Sequence, residues 1–453
     1  MIFPLDPAVD RGADVLGGKA HGLIAMMRLG LPVPAGFVVG VPAGRAFLRH
    51  GELPAGLGAA RDDLHAEAVS VRSGAAMSMP GMMTTLLDVR GPITPAVRDV
   101  FASWNTPRAR TYRSLHGIPH DLGTAVVVQR MVYGERGASG VAFSRDPGSG
   151  ARVPYGDVLF GRRGDDVVSG RATTLPLPAL REHEPVAWND LLDALSTLEG
   201  HYRDACHVEF TIESGRLWLL QVRPGGLTAR AAVRVAVDLA DEGLIDRRQA
   251  VRRITPRHLR AAATPRMLGG DLVARGRGAS PGVATGRIAV TADRAARMAA
   301  DGPVILVRPE TSPLDLHGLA AAAGIVTTRG GLASHAAVVA RSLGRPAVVG
   351  TTELTVDGPA ARAGHRSLPE GTVITIDGTS GDVALGNPGL TPAMADTHLH
   401  RLLTWADDIS GDRSPRPGEQ RLTAAHGEIP AGRDDGAPRS PGRSGSSPDA
   451  GEQ

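Results

Sequence analysis

The residues best placed to do chemistry lie in the run Thr327-Thr328-Arg329-Gly330-Gly331-Leu332-Ala333-Ser334-His335, continued by Ala336-Ala337-Val338-Val339-Ala340-Arg341. The apolar Gly324-Ile325-Val326 enters it as a strand, two glycines turn it, and small residues at helical spacing leave it. His335 therefore sits at or just inside a helix N-terminus. Free N–H groups and the helix dipole there favour a neutral imidazole and accept negative charge beside it. Such an imidazole can attack a phosphoryl group and hold it. A solvated histidine at the start of a helix has the same local pattern, and the spacing by itself leaves that reading open.

A second group of candidates is basic and acidic. The chain holds 50 Lys plus Arg, of which Lys19 is the one lysine. It stands in Gly17-Gly18-Lys19-Ala20-His21-Gly22-Leu23, where a compact ammonium on a flexible stem can reach a phosphate oxygen as a point charge. Arg72 ends the short apolar run Val69-Ser70-Val71 and enters a loop of small residues, Ser73-Gly74-Ala75-Ala76. Such loops bring backbone N–H groups close to phosphate oxygens, and a guanidinium beside them binds in a fork. The four methionines Met77, Met79, Met82 and Met83 read as flexible core packing.

Further on, His207-Val208-Glu209-Phe210-Thr211 and Leu217-Trp218-Leu219-Leu220-Gln221-Val222-Arg223 predict a hairpin turned at Ser214-Gly215. Alternation places His207, Glu209 and Thr211 on one face, with Gln221 and Arg223 aligned on the partner strand. A carboxylate and an amide oxygen converging there can hold a hard cation such as Mg²⁺. A polar strand face turned to solvent would show the same alternation.

The elements that must position these groups alternate strand and helix, which predicts an α/β (α+β) chain. Its length of 453 residues suggests two or three domains. A net charge of +3 without a basic stripe argues against nucleic acid, and no apolar run reaches membrane-spanning length. The single Cys206 excludes an internal disulfide and argues against a cysteine-based zinc site. The N-terminus has neither a basic segment nor an apolar one of the secretory kind, so the expectation is a cytoplasmic protein without a membrane partner.

The segment around His335 resembles the phosphohistidine motif of the pyruvate phosphate dikinases and related PEP-utilising enzymes. Three flanks agree: Ala279 to Gly286, Val307 to Pro313, and Ile374 to Gly378. The glycine-rich loop through Met79-Pro80-Gly81-Met82-Met83, the Lys19 segment, Gly123 to Gln129, Gly140 to Pro147, Gly164 to Gly170 and the hairpin are similar to that family's nucleotide-binding domain.

The resemblance implies an ATP-grasp-like domain over 1–227, a helical linker over 228–271 and a βαβ phosphohistidine swivelling domain over 272–388. A terminal helix over 389–410 and a disordered tail over 411–453 are expected to follow. It further implies that His335 is the phosphorylated carrier, that Lys19, Arg72, Glu209, Gln221 and Arg223 bind ATP, and that Glu209 and Gln221 hold Mg²⁺. Arg308, Thr311 and Arg329 lie near His335 in motif order. The partners implied are ATP and phosphate, with either a separate PEP/pyruvate-binding barrel protein or a small molecule as acceptor. The tail is too short and too polar to supply such a barrel, which needs about 250 residues. Rifampicin-type phosphotransferases, similar in these two domain types, imply that the acceptor can be small.

The chain departs from the dikinase pattern at several points. Ala333 stands where a regulatory threonine is usual, His207 where an aspartate is, and Ala76 where the glycine-rich loop has an arginine. A helical stretch between Val89 and Pro95 is missing. Losing one charge-assisted donor from a phosphate cradle costs on the order of 1.5–3 kcal/mol. Two readings stand: an ATP-dependent phosphotransferase, and a degenerate, non-enzymatic homologue that binds nucleotide or a dikinase partner.

Overall fold

The computed structural model describes residues 1–77, 79, 81–162, 174–262, 266–332, 334–391 and 397–430. The Gly164 to Gly170 segment, Ala333 and residues 431–453 of the expected tail lie outside the described residues. Strands and helices both contribute throughout, as the α/β expectation requires.

Two antiparallel sheets build the N-terminal half. The first contains β1 (Ile2–Pro4), β2 (Gly36–Val39), β3 (Ala68–Ser73), β4 (Thr85–Arg90) and β5 (Val126–Arg130), in the order β1-β2-β5-β3-β4. The second contains β6 (Gly137–Phe143), β7 (Tyr155–Phe160), β8 (Leu175–Pro176), β9 (Cys206–Glu213) and β10 (Arg216–Pro224), in the order β10-β9-β6-β7-β8. Helices α1 (Ala13–Arg28), α2 (Pro107–His116) and α3 (Pro185–Tyr202) flank them. Leu16, Leu23 and Ile24 of α1 and Leu191, Leu195 and Leu198 of α3 share one core with Val208, Phe210, Leu217 and Leu219 of the second sheet.

Helix α1 starts at Ala13 and breaks its helical path at Gly17 (φ 76°, ψ 154°). A Cβ on Gly17 would lie 1.6 Å from the Gly74 carbonyl oxygen, so only glycine lets α1 touch the loop after β3. The Gly18 N–H then donates to the Ala75 carbonyl at 3.1 Å. Lys19 and the small-residue loop are thereby fixed to one another.

Three helices follow: α4 (Ala229–Asp241), α5 (Arg247–Arg253) and α6 (Pro256–Ala262). Thr228 caps α4, and Asp246 with Gln249 forms a capping box at α5.

The following half is an eight-stranded sheet, with the strand pair β11 (Arg266–Met267) and β23 (Leu390–Thr391) beside it. Its centre is the parallel series β14 (Val283–Ala289), α7 (Ala292–Met298), β15 (Val304–Arg308), α8 (Leu316–Ala321), β16 (Gly324–Thr327), α9 (His335–Leu343) and β17 (Ala347–Val349). Strands β12 (Asp271–Arg275), β13 (Arg277–Ser280), β21 (Val373–Asp377) and β22 (Asp382–Leu385) complete it antiparallel. The short strands β18 (Leu354–Asp357), β19 (Ala360–Ala363) and β20 (Arg366–Pro369) form a separate small sheet.

One expectation needs correction. The stretch from 411 was expected to lack a fold, yet Gly418–Glu428 forms a helix, α11, after α10 (Thr397–Ser410). Leu422 and Ala425 are buried with Val251, Leu259, Leu402 and Trp405 in a helical cluster. Arg421 adds a two-point contact with Asp407 at 2.9 and 2.5 Å. Sparse apolar residues suffice because α5, α6 and α10 supply the opposing surface.

Candidate active site

His335 is the first residue of α9, with Ser334 as N-cap. It lies just past the carboxyl end of β16, at the edge of a parallel sheet where ligands gather in α/β folds. The ring is buried, with 7% of the residue exposed. Its Nδ1 lies 3.2 Å from the Thr311 hydroxyl, while Nε2 has no hydrogen-bond partner. When Nδ1–H donates to Thr311, Nε2 carries the free lone pair. Burial, with a smaller push from Arg108 and against the pull of Asp315, lowers the imidazole pKa to about 4. At neutral pH the ring is an uncharged nucleophile.

Thr311 is set by the turn after β15, and the next residues close a capping box. The Ser312 hydroxyl accepts from the Leu314 N–H at 3.2 Å, and Asp315 accepts from the Ser312 N–H at 2.8 Å. Arg308, expected near His335, does line the cleft, and its Nη1 donates to the Val290 carbonyl. Arg329 does not line it: its side chain is exposed, and its N–H donates to the Pro309 carbonyl.

Across the cleft lies the glycine-rich loop. A Cβ on Gly81 would stand 3.2 Å from Cδ2 and 3.7 Å from Nε2 of His335. The same cleft, about 2220 Å³ in volume, is lined by Lys19, Arg72, Glu209, Gln221, Arg223 and His335 together. The six side chains singled out in the sequence thus share one cavity between the two halves.

The hairpin turns at Ser214-Gly215 as expected, but an irregularity in its ladder sets the register. Gln221 pairs with Glu209 and Arg223 with His207, after a bulge that drops Leu220 from the ladder. Positive φ at Ser214 (51°) and Gly215 (77°) makes the tight hairpin turn. Arg223 approaches the Glu209 carboxylate at 3.6 Å. Burial alone would raise the Glu209 pKa, but Arg223, Lys19 and Arg72 hold it below the usual range. Burial, aided by Arg72, brings Lys19 down to about 7, against the pull of Glu209. Burial also lowers Arg72, whose guanidinium bonds the Gln129 amide oxygen. The Gln129 amide in turn donates to the Pro34 carbonyl at 2.9 Å, tying Arg72 to β5.

Three cations around one carboxylate leave the cleft short of negative charge, which is the electrostatic shape of a polyphosphate site. Gln221 is 6% exposed and its Oε1 has no partner. A buried amide oxygen beside an ionised carboxylate is a donor pair that suits Mg²⁺. His207 faces the same cleft with its ring 5.0 Å from that of Phe143. Burial and Arg223 push its pKa down to about 3, so it is a neutral nitrogen donor.

The two halves are held together by apolar and polar contacts. Met79, Met82, Trp104 and Tyr112 share a core with Leu332, Ala336 and Val339 of the C-terminal half. Met79 and Met82 are thus core residues, as read from sequence. Arg277 of β13 donates to the buried Asp157 of β7 at 2.7 Å. A Cβ on Gly331 would fall 2.4 Å from that carboxylate, so the turn before α9 must be glycine there. Ser342 of α9 meets His116 of α2 at 3.3 Å.

Sequence reasoning passed over Asp315, Gly81 and Asp157. The Ser-x-x-Asp spacing at Ser312 was a readable sign of the first. The other two act across long sequence separations and carry no local pattern.

Comparison with known proteins agrees with this geometry. Residues 52–175 match the pyruvate phosphate dikinase AMP/ATP-binding domain, and residues 300–381 match the mobile domain of PEP-utilising enzymes. Arg72 falls in the first segment and His335 in the second. The pyruvate, phosphate dikinase of Rhizobium meliloti (strain 1021) is 36% identical over 87% of this chain and 58% of its own length. Pyruvate, phosphate dikinase 2 of Oryza sativa subsp. japonica is 34% identical with the same coverage.

Over these two segments the chain carries the domain types of the pyruvate phosphate dikinase family. It spans just over half the length of the curated relatives it matches. The match to the AMP/ATP-binding domain lies in the N-terminal half, and the match to the mobile domain lies in the half that holds His335. Likeness to the solved D-cycloserine synthetase DcsG is slight, with a TM-score of 0.28 at 15% identity over 46% of this chain and 62% of that one. Among the described residues, no helix is long and apolar enough to cross a membrane.

Proposed function

We propose that this chain is an ATP-dependent histidine phosphotransferase of the dikinase type, with His335 as carrier. The observation that carries the reading is the unpartnered Nε2 of a neutral, buried His335, facing the same cleft as Lys19, Arg72 and Arg223.

ATP would lie with its phosphates among Lys19, Arg72, Arg223 and the backbone of the Gly74–Ala76 loop. A divalent cation held by Glu209 and Gln221, Mg²⁺ in the family's usual case, would neutralise phosphate charge. Nε2 forms a bond to the β-phosphorus as the bond from that phosphorus to the AMP oxygen breaks, and AMP leaves with the electron pair. Inorganic phosphate then attacks the outer phosphorus of the pyrophosphorylated ring. Pyrophosphate departs and phospho-His335 remains. Thr311 holds the Nδ1 proton, keeping the lone pair on Nε2 through the first step. Catalysis rests on positioning and charge neutralisation, as in phosphoryl transfer generally.

The phosphoryl group would pass to pyruvate on a separate barrel protein or to another acceptor after the carrier half swings away. A cytoplasmic setting fits the free, buried Cys206. The degenerate reading draws on His207 and Ala76. Against it stands the charge of the cleft, which is costly to maintain without an anionic ligand.

Single-turnover product analysis tests the reading. Mixing the chain with ATP, divalent cation and phosphate is expected to yield AMP and pyrophosphate in stoichiometry with protein. ADP without AMP, or no turnover at all, would refute it.

A further inference from the structure

Glu209 and Gln221 leave the nucleotide cation with two oxygen donors, but a third donor faces the same cavity. His207 is two residues from Glu209 on β9, on the same strand face, and pairs in register with Arg223. Its buried Nδ1 has no hydrogen-bond partner, and neither has the Oε1 of Gln221. Gln221 is itself 6% exposed, so its orphaned oxygen is a sealed acceptor and not a solvated one. Two unsatisfied buried polar atoms on the paired strands β9 and β10, whose register sets Glu209 opposite Gln221, are costly until a ligand satisfies them. Among the described residues, no three His, Cys, Asp or Glu side chains gather to hold a metal. Here the amide of Gln221 would complete the set.

We propose that His207 joins Glu209 and Gln221 as a nitrogen ligand, so that the cation at this nucleotide site is a first-row transition dication and not Mg²⁺. This rests on the reading of the cleft as an ATP site. Mg²⁺ demands a near-octahedral oxygen shell and binds imidazole poorly, whereas the dications from manganese to zinc accept a mixed nitrogen and oxygen set. Lys19, Arg72 and Arg223 all face Glu209 and repel a bare cation. The metal therefore enters with the polyphosphate, whose charge offsets theirs. Once phosphate is present, Arg223 can exchange its 3.6 Å contact with Glu209 for phosphate oxygens, freeing the carboxylate for the metal.

The test is pulsed electron paramagnetic resonance on Mn²⁺ with the full chain. A His335→Ala background prevents turnover, and uniformly ¹⁵N-labelled ATP removes any ¹⁴N signal from adenine. The expected result is imidazole ¹⁴N modulation on bound Mn²⁺ that appears with ATP and is lost in His207→Asp. In competition, Mg²⁺ is expected to displace Mn²⁺·ATP poorly from the otherwise unaltered chain and readily from His207→Asp. ATP-dependent Mn²⁺ binding without ¹⁴N modulation would overturn the nitrogen ligand and leave the ATP site standing. Modulation that persists in His207→Asp, or that is complete without ATP, would also overturn the proposal. Absence of any ATP-dependent Mn²⁺ signal would overturn both the proposal and the nucleotide reading.

Discussion

Gly81 and His335 touch across the cleft although 254 positions separate them: a methyl on Gly81 would sit 3.2 Å from the imidazole Cδ2. The glycine has φ +71°, a conformation that side chains resist. His335 is therefore seated against the glycine-rich loop at a point where Gly81 presents no side chain to the ring.

Gly81→Ala is expected to leave both halves folded while weakening this docked arrangement. The left-handed backbone costs about 1–2 kcal/mol for a residue with a Cβ, and the tight approach to the ring adds to it. A drop of roughly tenfold in the rate of His335 phosphorylation, with ATP binding little changed, is the expected kinetic result.

Thr311→Val removes the partner of Nδ1 while keeping its shape. The 3.2 Å contact is worth about 1 kcal/mol, so a roughly five- to tenfold loss in phosphorylation rate is expected, with Thr311→Ser close to the unaltered chain. Equal rates in Val and Ser variants would remove Thr311 from the mechanism.

Arg277→Ala opens the polar contact between the halves. Asp157 is almost wholly buried whereas Arg277 is partly exposed, which places the loss on the order of 2 kcal/mol after screening. Small-angle scattering should show a larger radius of gyration for the variant. An unchanged radius would mean that the shared apolar core around Met82 and Leu332 suffices.

Docking should also depend on pH through His335. In the docked arrangement burial holds its pKa at about 4, below the ordinary 6.5, so the docked state favours the neutral ring. That contribution is fully present above pH 6.5 and is lost as pH falls towards about 4. Scattering from pH 7.5 to 4.5 should show progressive opening that is reduced in His335→Gln.

Lys19 makes the opposite prediction. Its pKa near 7 in the empty cleft must rise when phosphate arrives, so ATP binding takes up a proton. At pH 8 the uptake approaches one proton, and near pH 6 it vanishes because Lys19 is already charged. Calorimetry in buffers of different ionisation enthalpy measures this directly. Lys19→Arg should abolish it.

Much of this site was legible because its parts are local. Alternation along β9 and β10 grouped Glu209 with His207 and Gln221 with Arg223, but it is the bulge at Leu220, invisible in the sequence, that sets Gln221 opposite Glu209. The turn-then-helix pattern gave the place of His335. What stayed hidden depends on distance in sequence. Nothing near Asp157 announces Arg277, and Gly81 reads as one more loop glycine until His335 is set beside it. The helix Gly418–Glu428 was missed for the same reason, since its few apolar residues gain stability only against α5, α6 and α10.

The most direct test of the account is transfer of label from [β-³²P]ATP to the protein. The account predicts acid-labile ³²P that maps to His335, persists after phosphate is added and is absent in His335→Ala. Label that is acid-stable, survives His335→Ala or fails to appear with either Mg²⁺ or Mn²⁺ would contradict it.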